Sequence, residues 1–221
     1  LGFVPRDGEL VEVRGKLGVY EARGDLQLIV DSMQRSGQGD LFAQFLKLKA
    51  TLEGEGLFDA SRKQDIPAQP RAIGLITSLG AAALHDVATA LQRRVPHIPV
   101  ILAPASVQGA NAPAELRNSL MRLAAWQGAP TPTSPQGLAV DVILMVRGGG
   151  ALEDLWAFND EALVRAVASC PIPIISGVGH ETDFTLTDFA ADLRAPTPTA
   201  AAEMVADRKS TRLNSSHTVV S

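Results

Sequence analysis

The stretch that decides the fold is VDVILMVRGGG, residues 140–150, in which an apolar run ends at an arginine and three glycines follow. Three further apolar runs, at residues 73–76, 100–102 and 172–178, alternate with segments whose leucines and valines recur at the spacing of one helix face. Strict alternation of strand and helix predicts an α/β fold, with a parallel sheet and flanking helices over about residues 70–200.

Four loops follow these predicted strands, at residues 77–80, 104–109, 147–150 and 179–183. In a parallel sheet the carboxyl ends of the strands share one edge, and ligands bind in the crevice beyond that edge. We therefore expect residues scattered over a hundred positions of the sequence to meet at one site.

The loop after the third run predicts phosphate binding. Its glycines can turn tightly and expose backbone N–H groups to an anion, and the arginine can add a bidentate contact. The candidate phosphate-binding residues are Arg147, Gly148, Gly149 and Gly150. The structural alternative is that the glycines serve a turn and that Glu153 or Asp154 pairs with the arginine.

The loop after the fourth run, Gly179-His180-Glu181-Thr182-Asp183, supplies an imidazole and a carboxylate three residues apart. Such a pair suits general acid–base chemistry or metal binding. His180 lies off any apolar face, which favours catalysis over a core histidine. Asp183 can also cap a helix that begins near Phe184. Asp86 follows the first loop and, taken alone, is typical of a solvated helix charge.

Composition excludes several classes of protein. The chain has 221 residues, of which 46% are hydrophobic, so it can bury a substantial core. Cys170 is the only cysteine, which excludes a disulfide framework and predicts a reducing, cytoplasmic location. We find no signal peptide and no apolar run long enough to span a bilayer, so no membrane association is expected. The net charge of −4 means that any DNA-binding surface must be local.

The chain divides into four predicted segments. Residues 1–35 read as β structure, and residues 36–69 as a helical linker. Residues 70–207 form the α/β domain, which ends in a helix with Thr197 as N-cap and Pro198 in its first position. Residues 208–221 lose apolar periodicity and are interpreted as a disordered or foreign tail. Because the chain opens in a strand-like region without methionine, we expect that the start of the first domain is missing.

Five ordered motifs resemble the large-subunit family of bacterial exodeoxyribonuclease VII, and the resemblance covers nearly everything up to about Asp207. The motifs lie at residues 55–59, 107–109, 147–156, 179–183 and 191–198. The resemblance implies an exonuclease that degrades single-stranded DNA from either end to oligonucleotides and nucleoside 5′-phosphates. It also implies several copies of a small helical subunit as partners, whose binding region we expect to be absent here. Residues 1–35 then resemble the last strands of a truncated OB-fold that binds single strands.

The resemblance assigns the catalytic positions to Asp86, Arg147, His180 and Asp183. In our hypothesis Arg147 and the glycine N–H groups hold the scissile phosphate, and His180 transfers a proton while Asp183 orients it. Asp86 either positions water or helps to bind a cation. No cofactor is certain, and a lightly held Mg²⁺ at Asp86 and Asp183 stays open beside a metal-free route. Two other functions stay open: a non-catalytic single-stranded DNA-binding module and a nucleotide-binding α/β phosphotransfer enzyme.

Overall fold

The structure is a computed structural model that describes residues 11–20, 25–35, 38–128 and 138–206. The chain divides into two compact units, Leu1–Lys47 and Leu48–Ser221. The predicted tail at residues 208–221 and the first ten residues lie outside the described residues. Among the described helices, none is long and apolar enough to cross a membrane.

The first unit contains an antiparallel hairpin of β1 (Val11–Tyr20) and β2 (Asp25–Arg35). Its register shifts between Arg14 and Gly15, where a Cβ on the glycine would lie 2.2 Å from the carbonyl oxygen of Ile29. The prediction of β structure is confirmed, but two strands do not establish an OB-fold, so that assignment stays a prediction. Helix α1 (Gln38–Gly54) follows and crosses the boundary between the units.

The second unit contains a five-stranded parallel sheet in the order β4-β3-β5-β6-β7. Its strands are β3 (Ile73–Thr77), β4 (Val100–Pro104), β5 (Val142–Arg147), β6 (Ile174–Val178) and β7 (Leu193–Arg194). The four apolar runs are therefore confirmed as strands of one parallel sheet. The fifth strand, with only two residues, was not predicted.

Helices cover both faces of this sheet, as a buried parallel sheet requires. They are α2 (Ala82–Arg94), α3 (Ala112–Ala124), α4 (Leu152–Leu155), α5 (Glu161–Ala168), α6 (Leu186–Ala190) and α7 (Pro198–Ala206), with 3-10 turns at Ala60–Arg62 and Trp156–Asn159. On one face, Val87 of α2 and Val205 of α7 share a buried cluster with Leu75. On the other face, Gly74 lies against Leu123 of α3, where a Cβ would come within 2.9 Å of the leucine side chain.

Two helix starts tested the capping predictions. Thr197 Oγ1 accepts a hydrogen bond from the Ala200 amide at 3.1 Å, which confirms the predicted cap of α7. The predicted cap at Asp183 is wrong, because α6 begins at Leu186. Thr185 precedes that helix, and its amide donates to the carboxylate of Asp188 at 2.8 Å. The Thr185 hydroxyl donates to the same carboxylate at 2.9 Å, so an acid three residues after the threonine fixes the start of the helix.

Candidate phosphate-binding and acid–base site

The arginine–glycine loop (residues 147–150) and the histidine loop (residues 179–183) begin side by side at the carboxyl edge of the sheet. Arg147, the last residue of β5, is in register with Val178, the last residue of β6. The Gly179 amide then donates to the Arg147 carbonyl at 3.0 Å. The sheet topology therefore places the arginine–glycine loop next to the histidine loop, as the strand order predicts.

Arg147 is a buried cation with little internal neutralisation. The residue is 7% exposed. Its guanidinium donates to the Gly148 carbonyl at 3.1 Å and to Gln108 Oε1 at 3.3 Å, both of which are neutral acceptors. Burial lowers the pKa of the guanidinium, and the charges of Asp154 and Asp183 oppose that shift. Oδ2 of Asp154 lies 3.8 Å from Nη2 of Arg147. The pairing of Arg147 with Asp154, which the sequence offered as the structural alternative, is therefore present but long. The guanidinium can still bind an anionic ligand.

The glycines allow side chains to lie directly on the loop backbone. A Cβ on Gly149 would be 1.7 Å from Cε1 of His180, and a Cβ on Gly150 would be 2.4 Å from Nη1 of Arg147. At Gly148 a Cβ would meet open space. None of these three glycines has a positive φ angle, so close approach, and not a tight turn, explains the glycines at 149 and 150.

The backbone amides of this loop are available to a ligand. Within the described part of the chain, no group accepts a hydrogen bond from the N–H of Gly148, Gly149 or Gly150. Consecutive free N–H groups beside a buried guanidinium form an arrangement that suits a phosphate.

The histidine loop is a closed turn. Gly179 starts it with φ +75°, a conformation that glycine adopts without strain. The His180 amide donates to Asp183 Oδ2 at 2.8 Å, and the Asp183 amide donates to the His180 carbonyl at 3.1 Å. The same carboxylate oxygen lies 3.5 Å from Nδ1 of the imidazole. The imidazole is 71% exposed, so its other nitrogen can reach a substrate.

Three of the four predicted loops line one pocket of about 460 Å³. The lining residues are Ser78, Ala81, Ala82, Ala83, Ser106, Val107, Gln108, Arg147, Gly148 and Gly149. The fourth loop reaches this pocket through the contact of His180 with Gly149. The structure therefore brings together Arg147, His180 and the glycines, with Asp183 beside them.

The structure does not bring Asp86 into contact with this group. Asp86 lies about one helical turn after Ala82 and Ala83, the residues of α2 that line the first pocket. It lines a second pocket of about 460 Å³, together with Thr89, Arg93 and Glu203 among others. Its catalytic role stays a prediction. The described residues contain no group of three or more His, Cys, Asp or Glu side chains that could hold a metal ion. Binding of Mg²⁺ at Asp86 and Asp183 stays a prediction, and we derive no step through a metal.

Sequence reasoning missed Arg194 as a candidate site residue. Arg194 lies in β7, and its guanidinium donates to backbone carbonyls of the histidine loop. The only signal in the sequence was its place within the motif at residues 191–198.

The fold and the site define an α/β protein with a candidate anion-binding and acid–base site at the carboxyl edge of a parallel sheet. Within this class, the chain belongs to the family described as "Exonuclease VII, large subunit", whose family model matches residues 57–219.

Curated relatives agree with this assignment, and each is named exodeoxyribonuclease 7 large subunit. The protein of Delftia acidovorans is 66% identical over 209 residues, which cover 93% of this chain and 47% of the relative. The protein of Bordetella pertussis is 58% identical over 204 residues, covering 92% and 42%. The chain spans a little under half the length of these relatives.

Similarity to solved structures is weak. The NanR protein of Vibrio vulnificus, complexed with ManNAc-6P, matches with a TM-score of 0.28 and 15% identity, over 77% of this chain and 59% of that one. A TM-score of this size carries no argument about fold or function.

Proposed function

We propose that this chain forms the catalytic part of an exodeoxyribonuclease VII large subunit, which hydrolyses single-stranded DNA from both ends to oligonucleotides and nucleoside 5′-phosphates. Family membership and the names of the relatives support the proposal. The observation that carries it is the imidazole of His180 lying on Gly149, in the loop that begins at the buried guanidinium of Arg147. A proton-transfer group and an anion-binding group thus share one loop.

The phosphodiester occupies the pocket beside Arg147. Its non-bridging oxygens accept hydrogen bonds from the guanidinium and from the free amides of residues 148–150. These donors are held in place before the substrate arrives, and they stabilise the additional negative charge that develops on the phosphate in the transition state. Because Arg147 is buried, this electrostatic contribution is stronger than it would be in water.

His180 moves the proton. Release of nucleoside 5′-phosphates requires that the bond between phosphorus and the 3′ oxygen breaks. His180 takes a proton from the attacking water or gives one to the departing oxygen, and Asp183, whose Oδ2 lies 3.5 Å from Nδ1, orients the imidazole. Asp86 lines the neighbouring pocket on α2, from which it either positions water or helps to bind a cation.

The remaining assignments stay proposals of the same kind. Residues 1–35 belong to a single-strand-binding OB-fold, residues 36–69 to a linker and residues 70–207 to the catalytic domain. The partners are single-stranded DNA and several copies of a small helical subunit, in the cytoplasm.

A nuclease assay of the full-length large subunit with its small subunit tests the proposal. We expect His180→Ala to slow the release of short fragments from end-labelled single strands at least about 10²-fold, the contribution of a general acid or base. His97→Ala is the matched control, because His97 is an exposed histidine in the turn that leads into β4, at the opposite edge of the sheet. It should leave the rate within about two-fold.

Each alternative has its own signature in this assay. A wild-type rate for His180→Ala would contradict the catalytic assignment. Binding of single strands by the wild-type complex without any fragment release would favour the non-catalytic module. Strong competition by a mononucleotide would favour the phosphotransfer enzyme. Parallel reactions with and without a chelator determine whether a divalent cation takes part.

A further inference from the structure

We propose that Arg194 is a positioning residue. Its guanidinium connects the turn of residues 180–183 to the sheet and so holds His180 against the arginine–glycine loop, with Asp183 beside it. The inference rests on the proposed function, because it concerns the efficiency of that site. Neither the motif resemblance nor the loop topology gave Arg194 a role.

The contacts of Arg194 converge on the turn. Its Nη2 donates to the carbonyl oxygens of His180 at 3.2 Å, Glu181 at 2.8 Å and Asp183 at 2.9 Å. One nitrogen with two hydrogens thus faces three carbonyl oxygens, so at least one hydrogen is shared between two acceptors. A single group therefore gathers three of the four carbonyls of the turn.

The arginine is itself held on a rigid element. Arg194 is in register with Ser176 of β6, and the Ala195 amide donates to the Ser176 carbonyl at 2.7 Å. Strand β6 ends at Val178, directly before Gly179, where the turn begins. The arginine stands on the neighbouring strand and reaches forward to the loop. A site supported from a strand is held more precisely than one supported from a loop.

Neighbouring side chains enclose the guanidinium. Its Cζ lies 3.9 Å from the centroid of the Phe184 ring, a cation–π contact. The carboxylate of Asp188, which accepts from Ser176 Oγ at 2.6 Å, also interacts electrostatically with it. Nε of Arg194 is buried and has no hydrogen-bond partner among the residues that the structure describes. An unpaired buried donor lowers the stability of the fold. The hydrogen bonds of Arg194 to the turn of residues 180–183 therefore explain an arginine at this position better than a contribution to packing does.

Without Arg194 the turn loses its connection to β7. The hydrogen bonds that stay join His180 and Asp183 to each other within the turn, and Gly179 to Arg147 at its start. These bonds preserve the shape of the turn but not its position. A displacement of about 1 Å in a catalytic group can reduce the rate about 10²-fold. Substrate affinity depends on Arg147 and the glycine amides and is expected to change little.

The test uses Arg194→Ala in the full-length large subunit with its small subunit. We expect kcat on single-stranded DNA to fall about 10- to 100-fold while KM stays within about two-fold. Added guanidinium chloride at millimolar concentration should restore part of kcat, whereas equal sodium chloride should not. Arg165→Met is the matched control. Arg165 pairs with Glu55 and Glu161 away from the site, and its loss should leave both constants unchanged.

Three outcomes decide the inference. A fall in kcat with partial rescue by guanidinium supports it. A wild-type kcat for Arg194→Ala, or a loss that appears only in KM, overturns it. If Arg194→Ala does not fold, Arg194→Lys decides, because its side chain is one bond too short to place a donor at the position of Nη2. A fall in kcat of about five-fold or more for a folded Arg194→Lys then supports the inference, and a wild-type kcat overturns it. Failure of the proposed function is distinguishable, since the wild-type complex would then release no fragments.

Discussion

Polar groups at the two edges of the five-stranded sheet have different partners. At the amino edge, Asp141 precedes β5 and accepts from the amide of Arg71 at 2.8 Å and from its Nη2 at 2.7 Å. Asp192 precedes β7 and accepts from the amides of Gln64 and Ile174, each at 2.7 Å. Each carboxylate there is paired within the chain.

At the carboxyl edge the charges are arranged differently. Arg147 is more deeply buried than either partner of the Arg71–Asp141 pair. Among the described residues, its guanidinium donates hydrogen bonds to two neutral oxygens, and the carboxylate of Asp154 lies 3.8 Å away. The imidazole of His180 is exposed. We interpret the paired carboxylates at the amino edge as stabilising the fold. We interpret the incompletely paired Arg147 at the carboxyl edge as a group that binds a ligand. The predictions below change one edge at a time.

The largest effect is expected from Arg147→Met in the full-length complex. Loss of the buried guanidinium should reduce kcat/KM for single-stranded DNA about 10²- to 10³-fold, as loss of a transition-state donor does. The free energy of unfolding should change little, because Asp154, the carboxylate that pairs with Arg147 among the described residues, lies 3.8 Å away. Arg71→Met is the matched control at the amino edge and should leave kcat/KM within about two-fold. Equal losses for both variants would remove the distinction between the edges.

A smaller effect is expected from Gly149→Ala. The added methyl group occupies the position of the His180 ring, which is exposed and can swing away without moving the backbone. We expect kcat to fall about 10- to 100-fold through misplacement of the imidazole. Gly148→Ala is the comparison, since a Cβ there meets open space and leaves His180 in place. If Gly148→Ala cost more activity than Gly149→Ala, the contact between His180 and Gly149 would not be the relevant feature.

The smallest effect is expected from Asp141→Asn at the amino edge, and it concerns the free energy of unfolding. The hydrogen bonds of Arg71 hold the pKa of Asp141 below its ordinary value. At acidic pH the unfolded state therefore binds a proton more readily than the folded state. The carboxylate contributes fully above its ordinary pKa, and its contribution is lost as pH falls through the lowered folded value. At pH 7, Asp141→Asn should lower the free energy of unfolding by at most about 1 kcal/mol, because solvent screens the largely exposed Arg71.

Urea unfolding between about pH 3 and pH 7 checks this expectation. The difference between wild type and Asp141→Asn should shrink below about pH 4, the ordinary pKa of an aspartate. Nuclease activity at pH 7 should match the wild type. A difference in stability that stays constant with pH would mean that the Asp141 charge does not contribute.

The sequence predicted the sheet well because buried parallel strands are continuous apolar runs. Residues 73–76 and 140–146 correspond to β3 and β5 within a few positions. Strand β7 was not predicted, because a strand of two residues has no periodicity and its pairing with β6 depends on the tertiary fold. Arg194 was not predicted as a site residue for the same reason, because its contacts with the histidine loop depend on the register between β6 and β7.

The site was predicted in part. Strand order brought Arg147 and His180 to one edge, but side-chain placement decided the rest. Asp183 and Thr185 are both good helix caps by residue type, and only the structure shows that Asp183 closes the turn while Thr185 precedes α6. Asp86 follows the correct loop, yet its position along α2 directs it to a neighbouring pocket.

The central claim is that the arginine–glycine loop and the histidine loop act as one site. A double-mutant cycle with Gly149→Ala and His180→Ala tests it most directly, because the methyl group at position 149 should act only through the imidazole. The account predicts that Gly149→Ala, which slows the wild-type complex about 10- to 100-fold, changes kcat by less than about two-fold in the His180→Ala background. Equal losses from Gly149→Ala in both backgrounds would contradict it.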